Sequence, residues 1–495
     1  MIRGLMRPLL ICLALSFSLH AADDFPLGPD SKPQDGIAKG TLIKDTHRAA
    51  EISVFPGTER EYTLYLPAGF DKTKPAAFMV FQDGVIYQAP VVFDNLIAKK
   101  DIPPLVGVFI RPGVVPAANE NALPRFNRSY EYDSITPTYS QFLINELLPA
   151  IEAKHGLQFS KDPNQTAIAG NSSGGICAFM VAWHRPDRFR RVFTGVGTYV
   201  GIHGADQLPV LVRKLEPKPL RVFLQSGTGD NNLYCGDWWM ANQMMERSLT
   251  WAGYDVNHAW GEGGHNQKHA SQIFPDVMRW LWRDWQTNIE VKANPKGESK
   301  WKGYEVFEAG SAWENQAIDA KEFRELDQLA EGERLKLDSV EKVLHQRMRE
   351  LKHDGCLSPD QTQIYLSDRG SNYITVSRAD AGSKNSFVQP FVLLESNSEG
   401  VSEPQGMCVD SEGRLYVATA LGLQVCDQAG RVNFIIPTRL PAVDVFFSPK
   451  DRRQIIVRCE TSSQAPDVEV LCRKVRLDGI PPSKQAPIKP AAPKL

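Results

Sequence analysis

A turn built almost wholly of small residues joins an apolar run to an apolar helical pattern within Thr166–Met180. Residues 170–174 of this turn read Gly-Asn-Ser-Ser-Gly, the G-x-S-x-G pattern of a nucleophile elbow. Such an elbow lifts its central serine above a sheet, and small neighbours let the strand and the helix approach each other. The pattern predicts Ser172 as a nucleophile. It also predicts the N–H of Ser173, at the positive end of the helix, as a donor to an oxyanion.

Apolar runs that alternate with helical patterns surround this turn and predict an α/β domain with a mostly parallel sheet. Arg60–Leu66 alternates polar and apolar residues, as a half-buried strand does. Ala76–Gln82 and Leu105–Ile110 are continuous apolar runs, which suit strands buried on both faces. Further strands are predicted at 192–200, 220–225 and 256–260, and helices at 91–100, 139–154 and 238–251.

An acid and a base follow the serine on loops that leave late strands. Asp230 comes directly after one predicted strand, and His265 lies in a glycine-rich loop after the next. The chain order Ser, Asp, His is that of α/β-hydrolases. Asp237 is the rival acid, but its place at the start of a helix favours N-capping. His269 is the rival base, and a helical position there favours a capping or solvent-facing role.

Residues 50–285 resemble the bacterial enterochelin esterases and the feruloyl and acetyl-xylan esterases. The resemblance rests on Met79–Gly84, Arg128–Asp133, Ala169–Ile176, Arg221–Gln225 with Gly236–Trp238, and Gly261–His265. It implies an α/β-hydrolase fold and a serine esterase with Ser172 as nucleophile, Asp230 as acid and His265 as base. Ser226 stands where relatives usually carry Asp.

The same resemblance implies the remaining parts of the site. The oxyanion hole would use the backbone N–H of Ser173 and a second one from the Asp83–Val85 turn, which we assign to Gly84. No cofactor and no metal are expected, and the substrate is expected to be a small-molecule or carbohydrate ester.

A long loop at 112–135 carries several polar and aromatic residues. Long loops at the carboxyl edge of a parallel sheet often hold ligand contacts. We therefore predict Arg128, Glu131 and Tyr132 as substrate-binding residues, with a solvated loop as the alternative for each of them.

The N-terminal residues 1–21 read as a secretory signal peptide, with Arg3 and Arg7 before an apolar stretch and His20-Ala21-Ala22 as the cleavage region. The protein is therefore expected to be periplasmic or secreted, with no membrane attachment after cleavage. Residues 22–50 are predicted as an extended leader before a hydrolase domain at 51–285. The charge balance of 56 Lys and Arg against 58 Asp and Glu excludes a nucleic-acid partner.

Residues 286–353 are predicted as a linker and a charged amphipathic helix. Apolar residues recur at 3/4 spacing between Leu326 and Leu351, a pattern typical of a surface-packed helix that would also allow a homodimer. The seven cysteines beyond the signal peptide show no C-x-x-C spacing, which indicates neither a zinc site nor a disulfide framework.

Residues 354–480 are predicted as a partial β-propeller-like region, because three turn-and-strand segments recur at near blade spacing, at 357–365, 409–416 and 447–456. They resemble the gluconolactonase and regucalcin-like propellers, chiefly through 413–419 and 422–427, yet supply about half of the blades that family needs. The family's metal positions would fall on Asp354-Gly355 and Gln405-Gly406, and its first Glu ligand has no counterpart, so no metal is expected. Residues 481–495 are predicted as a disordered tail.

Three functions of different class follow from these patterns. The favoured one is an exported serine esterase. The alternatives are a metal-dependent lactonase in the C-terminal region, and a glycan- or partner-binding protein whose hydrolase domain is a relic.

Overall fold

The computed structural model of the chain describes residues 25–291, 299–308, 311–315, 354–368, 370–378, 388–397, 400–461 and 467–479. Three predicted segments lie outside these ranges. They are the signal peptide, the charged helix at 319–352 with the homodimer expected from it, and the tail at 481–495.

The first part of the chain forms a ten-stranded mixed sheet. Its strands are β1 Thr41–Arg48, β2 Glu59–Leu66, β3 Ala77–Gln82, β4 Leu105–Ile110, β5 Val114–Val115, β6 Arg125–Phe126, β7 Thr166–Asn171, β8 Arg191–Gly195, β9 Arg221–Gly229 and β12 Asp255–Gly264, while β10 Asn232–Leu233 and β11 Gly236–Asp237 form a separate hairpin. The order is β12-β9-β8-β7-β3-β4-β2-β5-β6, with β1 beside β2. The six strands from β12 to β4 are parallel. The predicted mostly parallel α/β sheet is confirmed.

Helices cover both faces of this sheet. They are α1 Ala89–Lys99, α2 Arg128–Tyr132, α3 Thr138–Phe142, α4 Leu148–His155, α5 Ser173–His184, α6 Leu208–Lys214, α7 Trp238–Ala252 and α8 Lys268–Trp282, with a π-helical turn at Leu143–Leu147 joining α3 to α4. Successive residues of β3 point to opposite faces, as a strand requires. Phe78 and Val80 pack with α5 in one apolar cluster, whereas Met79 and Phe81 pack with α1 and α8 in another. The sheet is therefore buried on both sides.

The α/β domain extends beyond the bounds predicted for it at both ends. The segment expected as an extended leader contributes β1, which pairs antiparallel with β2 along its whole length. Asp30 also pairs with Lys99 and Arg279. At the other end Ile289 is buried, and its N–H donates to the side-chain oxygen of Asn164 at 3.0 Å. Ile289 therefore packs against the same domain, beyond its predicted end at residue 285.

The described residues after 313 form three four-stranded antiparallel sheets. Their strands are β13 Glu314–Asn315, β14 Gly355–Leu357, β15 Gln363–Ser367, β16 Tyr373–Arg378, β17 Gln389–Leu393, β18 Met407–Val409, β19 Leu415–Thr419, β20 Gly422–Cys426, β21 Val432–Ile436, β22 Ala442–Phe447, β23 Gln454–Glu460 and β24 Val468–Lys474. Each recurring sequence segment is the turn between two strands of one sheet, namely β14 to β15, β18 to β19 and β22 to β23. The all-β region is as predicted, and its propeller character stays a prediction.

The all-β region contacts the α/β domain just before β9. Leu215 forms a parallel bridge with Ile435, and the N–H of Glu216 donates to the Ile435 carbonyl oxygen at 3.2 Å. Two guanidinium nitrogens of Arg473 donate to the Glu216 carboxylate at 2.8 and 2.7 Å. Because Leu215 and Glu216 precede β9, this contact lies at the amino edge of the parallel strands. In the described part of the chain, no helix has the length and apolar character needed to cross a bilayer.

Candidate active site

Ser172 occupies the sharp turn between β7 and α5. Its backbone has φ 59° and ψ −123°, a region that non-glycine residues rarely adopt and that stores strain at functional turns. Hydrogen bonds hold this conformation, because the Ser172 N–H donates to the Gly195 carbonyl oxygen at 2.9 Å and the Ser172 carbonyl oxygen accepts from the Gly175 and Thr198 N–H groups. The turn therefore presents the serine side chain at the carboxyl edge of the sheet.

Two glycines of the G-x-S-x-G pattern are required by close approach. A Cβ at Gly170 would lie 2.0 Å from the carbonyl oxygen of Gly174, which is closer than a real Cβ atom approaches another heavy atom. A Cβ at Gly174 would lie 2.9 Å from Oδ2 of Asp83, on the turn after β3. The elbow is therefore packed against the neighbouring strand end, and larger residues would push the two apart.

The acid and the base follow paired positions on adjacent parallel strands. Gly229 of β9 pairs with Gly264 of β12, so Asp230 and His265 leave the sheet side by side. A register shift between Gly261 and Gly264 lets the end of β12 bend toward β9. A carboxylate and an imidazole are thereby brought together at the edge where β7 ends in Ser172.

The three predicted residues form one continuous chain of hydrogen bonds. Nδ1 of His265 lies 2.6 Å from Oδ1 of Asp230, and Nε2 lies 2.7 Å from Oγ of Ser172. An ionised carboxylate only accepts, so Nδ1 carries the proton and Nε2 is left to accept from the serine hydroxyl. This tautomer lets the imidazole remove the serine proton, and the carboxylate can stabilise the imidazolium that results.

Neighbouring side chains fix the acid and the imidazole. The carboxylate of Asp230 is fully buried, and it also accepts from the Ser226 hydroxyl at 2.6 Å and from the Asn231 N–H at 2.8 Å. The indole of Trp238 meets the His265 ring edge to face at 5.6 Å. The same indole donates to Oγ1 of Thr198, which lies 3.4 Å from Oγ of Ser172. Burial and hydrogen bonding thus hold both groups in place.

The rival acid and base are engaged elsewhere. Asp237 caps α7, with Oδ1 accepting from the Met240 N–H at 3.0 Å, as its position predicts. His269 is buried rather than solvent-facing, because it stacks on Phe25 at 4.6 Å and its Nδ1 lies 3.2 Å from Nε2 of Gln225. Burial lowers the pKa of His269 below its ordinary value.

The structure contradicts Gly84 as the second oxyanion donor. Its N–H already donates to the carbonyl oxygen of Ile110 at 2.9 Å. Asp83 and Gly84 both have positive φ, 66° and 84°, so the chain reverses sharply there and carries Val85 past the end of β3. Ser173 begins α5, where the first N–H groups of a helix lack partners within the helix.

The three predicted substrate-binding residues are engaged within the protein. Glu131 is buried and accepts from both terminal nitrogens of Arg60 at 2.9 and 3.1 Å, so it is not a substrate contact. Tyr132 is fully buried, which contradicts the same role. Arg128 donates through Nε and Nη2 to Asp83 and through Nη1 to Ser173, so it links parts of the site. Arg128 thus ties the loop to the elbow, whereas Glu131 ties it to β2.

Four residues around the triad are not found from the sequence. Trp238 stands in a quoted motif without a role, Ser226 is noted only as standing where relatives usually carry Asp, and Asp83 enters only through the backbone of its turn. Thr198 carried no motif at all. Within the described residues, no group of three or more His, Cys, Asp or Glu side chains could hold a metal ion.

Comparison with known proteins points to the same part of the chain. Residues 53–270 match the family model Esterase, described as "Putative esterase". The chain is 31% identical over 152 residues to an Iron(III) enterobactin esterase of Dickeya dadantii (strain 3937), a match over 28% of this chain and 33% of that relative. It is 25% identical over 248 residues to an Iron(III) enterobactin esterase of Escherichia coli (strain K12), over 48% of this chain and 55% of the relative.

A solved ferulic acid esterase aligns with 50% of this chain and 99% of its own, at 19% identity and a TM-score of 0.39. The matched regions span between a third and just over half the length of the two curated relatives. Residues 53–270 are thus similar to a family described as putative esterases, and they lie in the domain whose mostly parallel sheet and flanking helices match an α/β-hydrolase fold.

Proposed function

We propose that the protein is an exported serine esterase that hydrolyses a carboxylic ester through Ser172, His265 and Asp230. The observation that carries this proposal is the unbroken hydrogen-bond chain from Asp230 through His265 to Ser172, at a strained turn. In this reaction Nε2 of His265 takes the Ser172 proton while Oγ attacks the ester carbonyl carbon. The imidazolium then gives that proton to the leaving alkoxide, and a water activated by His265 releases the acid from the acyl-enzyme.

The tetrahedral oxyanion needs two backbone donors near the elbow. We assign one to the N–H of Ser173, where the dipole of α5 also favours negative charge. The second we assign to Val85, because the Gly84 N–H is engaged and Val85 is the next residue of the same turn. Loss of one such donor costs about 10²- to 10³-fold in rate in other acyl-transfer enzymes.

The substrate we propose is an ester with an aromatic or other flat acyl group, on a carbohydrate or a siderophore-type scaffold. Two observations support this class. The hairpin that follows Asp230 exposes Leu233 and Tyr234, the latter at 96% of its surface, and Trp238 stands against His265. The curated relatives are named enterobactin esterases, and one aligned structure is named a ferulic acid esterase.

A substrate screen of the purified protein tests this function. Acetyl, feruloyl and catecholate esters are offered to the wild type and to Ser172→Ala, each with and without EDTA. Turnover by the wild type that survives EDTA and vanishes in Ser172→Ala supports the proposal. Turnover that survives in Ser172→Ala contradicts the proposal. Turnover that EDTA abolishes also contradicts it, and favours a metal-dependent lactonase in the second half.

A further inference from the structure

The guanidinium of Arg128 joins two segments that are far apart in sequence. Its Nε and Nη2 donate to the two carboxylate oxygens of Asp83, both at 2.8 Å, and its Nη1 donates to Oγ of Ser173 at 3.0 Å. Asp83 belongs to the turn after β3, and Ser173 is the first residue of α5. One rigid, planar group therefore spans the gap between these two segments.

These two segments carry the two backbone donors of the proposed oxyanion hole. Such donors act only when they lie ~2.7–3.1 Å from the oxyanion, so their separation must be held closely. The Asp83 side chain also fills the space that Gly174 leaves open, since a Cβ there would lie 2.9 Å from Oδ2. The contact between the turn and the helix is therefore made by Asp83, and Arg128 holds Asp83 in place.

We propose that Arg128 and Asp83 form a strap that fixes the separation of the two oxyanion donors, so that both are positioning residues for ester hydrolysis. This inference rests on the proposed serine esterase. The fork of an arginine matches a carboxylate in two parallel hydrogen bonds, which sets orientation as well as distance. The Arg128 and Asp83 side chains are 38% and 20% exposed, so the pair is partly open to solvent and its two parallel bonds fix its geometry.

A strap that works through geometry differs from one that works through charge. Lysine keeps the positive charge of Arg128 but cannot make the two parallel bonds to Asp83 while reaching Ser173. Arg128→Lys should therefore resemble Arg128→Gln in turnover. A role for the charge alone would leave Arg128→Lys close to the wild type.

Arg185, directly after the far end of α5, offers a matched control. Its Nε and Nη2 donate to the two carboxylate oxygens of Asp187 at 2.8 and 2.7 Å, the same forked pairing as in the strap. It follows the last residue of α5, roughly 18 Å from the elbow for a helix of this length. Arg185→Gln thus removes an equivalent ion pair without touching the oxyanion hole.

The experiment measures kcat and KM with p-nitrophenyl acetate, and separately the thermal midpoint. The proteins compared are the wild type, Arg128→Gln, Arg128→Lys, Asp83→Asn, the double variant Arg128→Gln/Asp83→Asn, and Arg185→Gln. We expect the strap variants to lower kcat by about tenfold or more with KM nearly unchanged, as for an interaction that acts only in the transition state. The kcat of the double variant should be no lower than that of the less active single variant, because both substitutions remove the same link. Binding of a boronic acid, which mimics the tetrahedral state, should weaken in parallel.

Each outcome decides the matter. If Arg128→Lys keeps wild-type kcat, or if Arg128→Gln matches Arg185→Gln, the strap is refuted while the esterase stands. If the wild type hydrolyses no ester and Ser172 takes no fluorophosphonate, the proposed function itself fails and the strap fails with it. Should Arg128→Gln not fold, Asp83→Asn keeps the size of the residue and tests the same link.

Discussion

The Asp230→Asn variant removes the charge of the predicted acid and keeps its shape. Asn has nearly the shape of Asp, and the bonds around residue 230 decide how its amide will lie. Oδ1 accepts from two donors, Nδ1 of His265 at 2.6 Å and the Asn231 N–H at 2.8 Å, whereas the one donor to Oδ2 among the described residues is the Ser226 hydroxyl. The amide oxygen should therefore take the place of Oδ1, and the rotatable hydroxyl of Ser226 can turn to accept from the amide nitrogen.

This orientation preserves the proton on Nδ1 of His265, so Nε2 can still receive the serine proton. What is lost is the negative charge that stabilises the imidazolium. A hydrogen bond to a charged partner contributes about 1.5–3 kcal/mol, against about 1 kcal/mol for a neutral one. We therefore expect the loss of about 0.5–2 kcal/mol in Asp230→Asn to lower kcat by about 2- to 30-fold. Asp230→Ala also removes the orientation of the ring and should cost about 10⁴-fold.

Steady-state kinetics of Asp230→Asn, Asp230→Ala and Asp237→Asn with p-nitrophenyl acetate test this reasoning. Asp237→Asn is the matched control, because Asn is as good an N-cap as Asp and should keep turnover near the wild type. Equal losses in Asp230→Asn and Asp230→Ala would show that the amide lies the other way round. A greater loss in Asp237→Asn than in Asp230→Asn would refute Asp230 as the acid.

Three further predictions concern the surroundings of the site and the join between the two regions. Ser226→Ala removes one of three hydrogen bonds to the buried carboxylate and should lower kcat less than Asp230→Asn does, measured under the same conditions. Burial lowers the pKa of Lys218 from 10.5 to about 7. Between these two pH values the unfolded chain binds more protons than the folded one, so the free energy of unfolding should rise with pH across that window. Urea titrations should show this rise, ~2–3 kcal/mol from pH 7 to pH 9, in the wild type and not in Lys218→Met. A chain that ends after residue 291 should keep esterase turnover, because the contact of Leu215 with Ile435 lies at the amino edge of the sheet, away from the site. Its thermal midpoint should be lower, because that contact is lost. A truncated chain that folds but is inactive would contradict this.

Local sequence patterns predicted the parts of the site that depend on neighbouring residues. The elbow at Ser172 needs small residues at fixed offsets, so it is visible in five positions of sequence. Asp230 and His265 could be placed because the loops of a parallel sheet leave at one edge in a known chain order. The continuous apolar runs of β3 and β4 reflect strands covered on both faces.

Contacts between distant residues could not be read in this way. Glu131 was predicted to bind substrate, yet its carboxylate neutralises Arg60, which lies 71 positions away in the chain. The Gly84 N–H is used by Ile110 on the neighbouring strand, a partner that only the register of the sheet reveals. The segment that contains β1 is polar and rich in Pro, Gly and Asp, which predicts an extended leader. The side chains of β1 are exposed or half-buried, so its sequence lacks the apolar alternation that marks a half-buried strand.

Mapping the site of covalent labelling tests the central claim most directly. The wild type, Ser172→Ala and Ser173→Ala are treated with a fluorophosphonate, digested, and the modified peptide is sequenced by mass spectrometry. The hydrogen bond from Ser172 to Nε2 of His265 predicts a single label on Ser172, retained in Ser173→Ala and absent in Ser172→Ala. A label on Ser173, or one that persists in Ser172→Ala, would contradict Ser172 as the nucleophile.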